Sequence, residues 1–218
     1  MSVARTRVIT LMGLNGSVVE VEADLSDGLP GFLLIGLPDA SLGEARDRVR
    51  AAAANSGCVL PPKKLTINLS PASLPKHGSS FDLGIAVAAL AAADLVSHRS
   101  ISEVVHLGEL GLDGRLRPVQ GILPSVLGAA RAGAEVVMVP AANAEEASLV
   151  PGVRVVGVAS LREAAIWHGG DFTSIDVDPV LSSAAAPQSA PELELADVIG
   201  NTEAVEALIA AASGGTTS

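Results

Sequence analysis

Residues 63–83 constrain this chain most. They read Lys-Lys-Leu-Thr-Ile-Asn-Leu-Ser-Pro-Ala-Ser-Leu-Pro-Lys-His-Gly-Ser-Ser-Phe-Asp-Leu. Leu65, Ile67 and Leu69 alternate with polar residues, the period of a half-buried strand. Pro71, Pro75 and Gly78 then break the backbone into a loop. Residues 80–93 are almost wholly apolar and predict a buried helix. A strand entering a helix through such a loop presents side chains at a helix N-terminus. Here those are Ser79 and Ser80, preceded by Lys76 and His77. Two chemistries suit that place. Free N–H groups at a helix start, with basic side chains beside them, attract anions. A serine held there serves as a nucleophile if a base takes its proton. The plain alternative is capping: Ser79 to Asp82 reads as N-cap to N3, with Asp82 favourable in the first turn.

The flanking sequence sets this element in a mixed frame. Residues 3–12, 17–24 and 32–35 read as strands, with Asn15-Gly16 a hairpin signal. Residues 39–56 predict a helix with one apolar stripe (Leu42, Ala45, Val49, Ala52, Ala53), stopped by Gly57. Residues 104–112 and 115–119 look like a hairpin turning at Asp113-Gly114. Helices over 121–132, 144–148 and 161–167 alternate with strands over 136–139 and 153–158. Strands first and βα alternation later imply an α/β or α+β body with a mixed sheet.

Apolar residues make up 49% of the 218, enough for a real core. One Trp, three Phe and no Tyr make a poor stacking platform for bases. The charge-free run between Asp82 and Asp94 is 11 residues, against the roughly 20 that a membrane span needs. No apolar stretch follows Arg5 and Arg7 as it would in a signal peptide. No membrane and a cytoplasmic location are expected. The single Cys58 excludes an internal disulfide and a Cys-based zinc site. His77, His98, His106 and His168 lack metal-binding spacing, so no metal site is expected. His106 reads as a core or sheet-face residue, and Trp167 and His168 as packing at a helix end.

The net charge of −10 is unevenly spread. Residues 1–175 hold all 14 Lys and Arg with 17 Asp and Glu, whereas 176–218 hold 7 acids and no base. The body is near neutral and leaves room for a basic patch. Candidates for anion or DNA contact are Lys63, Lys64, Lys76, His77 and Ser79 around the loop. Arg46 and Arg50 lie one turn apart on a helix face, and Arg115 and Arg117 flank Leu116 on one strand face. Arg48 is spaced to pair with Glu44. Each set also suits a solvated charged face or a subunit interface.

Several of these stretches together resemble a known family: residues 63–83, Gly36-Leu37-Pro38-Asp39-Ala40 with the Arg46/Arg48/Arg50 helix, Leu107-Gly108-Glu109-Leu110, and Gly114-Arg115-Leu116-Arg117-Pro118-Val119. They look like the YifB/ComM family of magnesium-chelatase-like AAA+ ATPases. The resemblance implies a Lon protease-like domain over residues 1–170, with the fold of ribosomal protein S5 domain 2. Residues 171–195, with their Ser/Ala/Pro run, read as an acidic flexible linker. Asp197-Val198-Ile199-Gly200, Ala204 and Gly214-Gly215 resemble the segment leading into the AAA+ module. Residues 196–218 are thus expected to be its start, cut before the Walker A motif. None of Lys63, Lys64 and Lys76 precedes a Ser or Thr, so that motif is absent from the sequence.

By resemblance, the whole protein is a bacterial hexameric ATPase. It acts on DNA as a branch-migration helicase in recombination during natural transformation. ATP and Mg²⁺ then belong to a domain beyond these residues, and no cofactor to the residues themselves. In Lon-type proteases the nucleophile follows a Pro-Lys-Asp-Gly-Pro-Ser-type loop, a position that falls on Ser80. The activating lysine follows a Gly-Gly-Leu-type turn, and in Gln120-Gly121-Ile122-Leu123 that place is taken by Leu123. Leucine accepts no proton. His77 is close enough in sequence to approach Ser80, but no third group is positioned to orient it. The expectation is a non-catalytic module for hexamer assembly or DNA contact. A Lon-type serine peptidase using Ser80 and a purely structural assembly domain are the alternatives.

Overall fold

The structure, a computed structural model, describes residues 3–36, 39–74, 79–180 and 200–214. The chain divides into two units, residues 1–182 and 183–218. The first opens with β1 (Ala4–Met12) and β2 (Asn15–Ser26), an antiparallel hairpin joined through Gly13 at φ +62°. β3 (Gly31–Ile35) leads through α1 (Asp39–Asn55) to β4 (Lys64–Ser70), which lies parallel to β3 and antiparallel to β2. α2 (Asp82–Ala92) and α3 (His98–Ser102) precede β5 (Val104–His106). A small hairpin of β6 (Glu109–Leu110) and β7 (Leu116–Arg117) follows. Then come α4 (Ile122–Arg131), β8 (Val136–Pro140), α5 (Ala144–Ala147), β9 (Arg154–Val158) and α6 (Leu161–Trp167). The sheet is mixed and seven-stranded, in the order β3-β4-β2-β1-β5-β8-β9. It is the mixed α/β fold expected for an S5 domain 2-like body. In the second unit, α7 spans Thr202–Gly214.

Alternation decides which face each strand buries. Val19, Val21 and Ala23 of β2 pack with Leu65, Ile67 and Leu69 of β4, while Glu20 and Glu22 face away. On β1, Val8 joins the core under α1 and α2, and Ile9 joins a second cluster with Val105, Val126 and Val137 on the opposite face. α2 is apolar on every side, and every residue from Asp82 to Ala91 is buried. An all-round apolar helix belongs inside. It lies so close to β1 that a Cβ at Gly84 would collide with Val8.

The expected hairpin over residues 104–119 is corrected. Val104–His106 joins the main sheet beside β1 and β8, and only Glu109 and Leu110 pair with Arg117 and Leu116. Gly108 explains the split: its N–H donates to the Ser80 carbonyl (3.0 Å) and its own carbonyl accepts from Leu83 N–H (3.1 Å). The two strand segments are thereby pinned to α2 rather than joined to each other.

Candidate functional site: a serine-lined cleft at the start of the buried helix

The same Gly108 clamp draws the chain after β5 against the start of α2. Across from it, Asn143 grips Val119 from both sides, accepting from its N–H (2.9 Å) and donating to its carbonyl (3.1 Å). Between these fixed segments and β1 lies a cavity of about 450 Å³. Ile9, Thr10 and Leu11 form one wall, Pro118 to Gln120 another, and Ser79, Ser80, Phe81, Leu107, Glu109 and Ser125 complete it.

The polar groups of the cleft are unevenly engaged. The Ser79 hydroxyl donates to Glu109 Oε2. Ser125 Oγ donates to the Gly121 carbonyl (2.8 Å). The Ser80 hydroxyl makes no hydrogen bond among the described residues, although Ser80 lines the cavity. Leu123 is 38% exposed and does not line the cavity. No lysine, arginine or histidine stands among the described lining residues. Lys76 and His77 lie outside the described residues. The capping expectation is corrected: Phe81 precedes α2 in helical geometry, and no side chain caps the helix. Ser79 spends its hydroxyl on Glu109, a partner 30 residues away.

Asp82 also departs from a solvated first-turn acid. It is 1% exposed. Arg48 Nε donates to its Oδ2 (2.7 Å), Arg48 Nη2 to its Oδ1 (3.2 Å), and Leu110 N–H to its Oδ2 (3.3 Å). Burial pushes the Asp82 carboxyl up to about 6, against the pull of Arg48. Arg48 keeps the expected contact with Glu44 as well, at 3.5 Å.

The basic candidates separate into two places. Arg50 and Lys63 line one pocket of about 270 Å³ with Phe32, Leu60, Pro61 and Leu65. Lys64 is exposed next to Lys63 in the chain, at the start of β4. Arg115 and Arg117 are exposed on either side of buried Leu116, at the small hairpin. Several cations already have acidic neighbours: Lys63 with Asp27 (2.8 Å), Arg46 with Asp47 (3.0 Å) and Arg115 with Asp113 (2.6 Å). Arg50, Lys64 and Arg117 make no ion pair among the described residues.

A second polar cluster is sealed in the core. His106 is 0% and His168 1% exposed. Their Nε2 atoms are 2.8 Å apart. His106 Nδ1 meets Thr6 Oγ1 (2.8 Å), and His168 Nδ1 meets Ser100 Oγ (2.8 Å). Thr6 has one proton, and it goes to the Ile101 carbonyl (2.9 Å). The tautomers follow. His106 Nδ1–H donates to Thr6, His168 Nε2–H donates to His106 Nε2, and Ser100 O–H donates to His168 Nδ1. Both rings are neutral. Burial holds His106 well below the usual histidine range, helped by His168 and Arg7, and burial brings His168 down to about 4.

Among the described residues no cluster of His, Cys, Asp and Glu is able to hold a metal ion, and no helix is long and apolar enough to cross a membrane. A family model described as subunit ChlI of Mg-chelatase matches residues 21–143. The chain is 46% identical over 214 residues to an uncharacterised protein of Mycobacterium tuberculosis, covering 98% of this chain and 42% of that protein. It is 38% identical over 204 residues to competence protein ComM of Haemophilus influenzae (93% of this chain, 40% of ComM). With YifB of Escherichia coli the identity is 37% over 215 residues (99% and 41%). A Lon protease of Mycolicibacterium smegmatis is 30% identical over 150 residues (66% of this chain and 19% of that protein). The chain thus spans about two fifths of the length of its ComM and YifB relatives. With the family model covering more than half of it and ComM and YifB aligned along nearly its whole length, the chain belongs to the YifB/ComM family of Mg-chelatase-like proteins.

Proposed function

We propose that these residues form a non-catalytic module of a ComM/YifB-type AAA+ ATPase that acts on DNA in recombination and natural transformation. ATP and Mg²⁺ bind a separate ATPase domain. The module serves assembly of the hexamer and contact with DNA. One observation carries the non-catalytic part. The Ser80 hydroxyl has no hydrogen-bonded base among the described residues, and Leu123, at the base position, is apolar and outside the cleft. An unactivated serine is a very weak nucleophile at neutral pH.

DNA contact draws support from Arg50 and Lys64, which make no ion pair among the described residues and sit on α1 and β4. Exposed Leu33 (49%) and Ile35 (46%) on edge strand β3 favour a subunit contact on that side of the sheet. Fluorescence anisotropy with single-stranded, duplex and branched DNA tests the DNA contact. Two cations on phosphates predict a log–log salt slope of about −2, flattened by Arg50→Glu and Lys64→Glu. No binding at low salt assigns the module to assembly, which sedimentation of the full ATPase with and without these residues then reads.

A further inference from the structure

We infer that the pocket between the end of α1 and the starts of β3 and β4 binds a small apolar carboxylic acid, its acid group held by Arg50 and Lys63. The walls are built in advance. α1 ends in a tight turn at Gly57 (φ +69°), where the N–H groups of Ser56, Gly57 and Cys58 donate to the carbonyls of Ala52, Ala54 and Ala53. Those carbonyls are thereby occupied, so the helix end, with Ala53 and Ala54 in the pocket wall, turns fewer free acceptors toward an anion. Pro30, Pro61 and Pro62 also line the pocket and fix the backbone of the two loops that frame it. Gly31 N–H donates to the Lys63 carbonyl (3.3 Å), tying one loop to the other, and Lys63 N–H donates to the Pro61 carbonyl (2.8 Å). A site held by prolines and backbone bonds loses little freedom when it is filled.

The lining selects the ligand. Leu25, Phe32, Leu60 and Leu65 give an apolar interior, and Val59, which also lines it, stands 65% exposed. An exposed branched side chain on a pocket wall is area that an apolar ligand removes from water. The volume of about 270 Å³ lies just under the ~300–1,000 Å³ of drug-sized sites, which suits a single ring or a branched chain. Two cations share this lining. Arg50 makes no ion pair among the described residues, so its guanidinium is available to a carboxylate in the two-pronged geometry that suits it. Lys63 is paired with Asp27 (2.8 Å), but the two side chains are 46% and 76% exposed, and a surface pair of this kind gives way at little cost. A phosphate matches the cations and leaves the apolar interior wet. A neutral apolar ligand fills the interior and leaves both cations unused. An apolar acid uses both. The inference goes beyond the DNA reading, which draws on Arg50 with Lys64 and not on this interior.

Amide NMR of the 218-residue chain tests it. The probes are phenylpropionate, the uncharged phenylpropionamide and acetate. Phenylpropionate is expected to shift the amides of Phe32, Ala54, Leu60 and Leu65. It should bind about tenfold more tightly than its amide, the worth of a hydrogen bond to a charged group, and more tightly than acetate, which has no apolar body. Arg50→Gln, at an exposed helix position, should erase the preference for the acid while leaving the amide's binding unchanged. Ala54→Trp, at another exposed position of the wall, should fill the pocket and block both. Equal binding of acid and amide by the unaltered chain, shifts confined to other surfaces, or acetate binding as tightly as phenylpropionate overturns the inference. Lys64→Glu separates it from the DNA reading. That change should weaken duplex binding and leave phenylpropionate binding as it was. A loss of phenylpropionate as large as that of Arg50→Gln would show attraction by net charge rather than by the pocket, and overturns the inference. Absence of duplex binding, with the acid still preferred, overturns the DNA reading and upholds the pocket.

Discussion

Ser79, Ser80 and Glu109 open onto a cavity of about 450 Å³, whereas His106, His168, Thr6 and Ser100 are packed against one another where α3, β5 and the end of α6 meet. Leu107 lines the first region, and its neighbour in the chain, His106, belongs to the second. Successive side chains of a strand point to opposite faces, so one step along the backbone separates them. Between them the regions hold a serine, a carboxylate and two imidazoles, the makings of a nucleophilic site. Acyl transfer needs those groups within hydrogen-bond reach of one another and of a substrate. The open region has space, serine hydroxyls and a carboxylate that Ser79 already engages, but no lysine or imidazole among the described residues. The sealed region has bases whose every nitrogen is already committed. Burial supplies the reason for the second: a neutral imidazole pair inside a core is tolerated only when its hydrogen bonds are complete.

Breaking the sealed region gives the largest effect. His168→Ala leaves His106 Nε2 and Ser100 without partners and opens a cavity, and urea denaturation should show a loss of about 3 kcal/mol. A loss under 1 kcal/mol means the two rings do not share a proton-ordered bond.

Acid should weaken the same region. His106 and His168 are held below their ordinary value in the folded state, so the native protein binds fewer protons than the unfolded chain. Their contribution is complete above about pH 6.5 and is lost as the pH falls through about 4, the value for His168. Asp82 runs the opposite way. Its folded value of about 6 lies above the usual carboxylate value, so protonation on acidification favours the native state. The two trends offset each other between pH 6 and 4. Asp82→Asn removes the opposing trend. Its stability should therefore fall more steeply over that range than the unaltered chain's, by about 2 kcal/mol. Parallel stability curves would show that Asp82 does not take up a proton there.

The smallest effect belongs to the open cleft. Ser80→Ala removes a hydroxyl with no hydrogen bond among the described residues. Thermal unfolding should place it within about 0.5 kcal/mol of the unaltered chain.

Most of the frame was legible in local pattern. The period of two in Leu65, Ile67 and Leu69 marks β4, and the apolar run after Ser80 marks α2 as a buried helix. The misreadings share a cause. Val104–His106 and Glu109–Leu110 are both apolar segments near a turn, and nothing local shows that the first pairs with β8. Ser79 reads as a cap until Glu109, 30 residues on, claims its hydroxyl. His106 and His168 are 62 residues apart, and His168 meets His106 only once α6 packs on the core. Asp82 carried a usable signal, an acid directly ahead of a wholly apolar helix, which calls for a buried cation. The Arg48 spacing to Glu44 drew attention to the weaker of its two partners. Leu123 carried a signal readable without geometry, because an apolar side chain at the expected base position accepts no proton, and in the structure it lies outside the cleft.

The most direct measurement is to treat the chain with a fluorophosphonate, which forms a covalent bond only with an activated serine, while following hydrolysis of a fluorogenic casein. A serine without a base predicts no label on Ser80 and no hydrolysis above background across neutral pH. Stoichiometric labelling that disappears in Ser80→Ala, together with hydrolysis that disappears with it, would contradict a non-catalytic cleft.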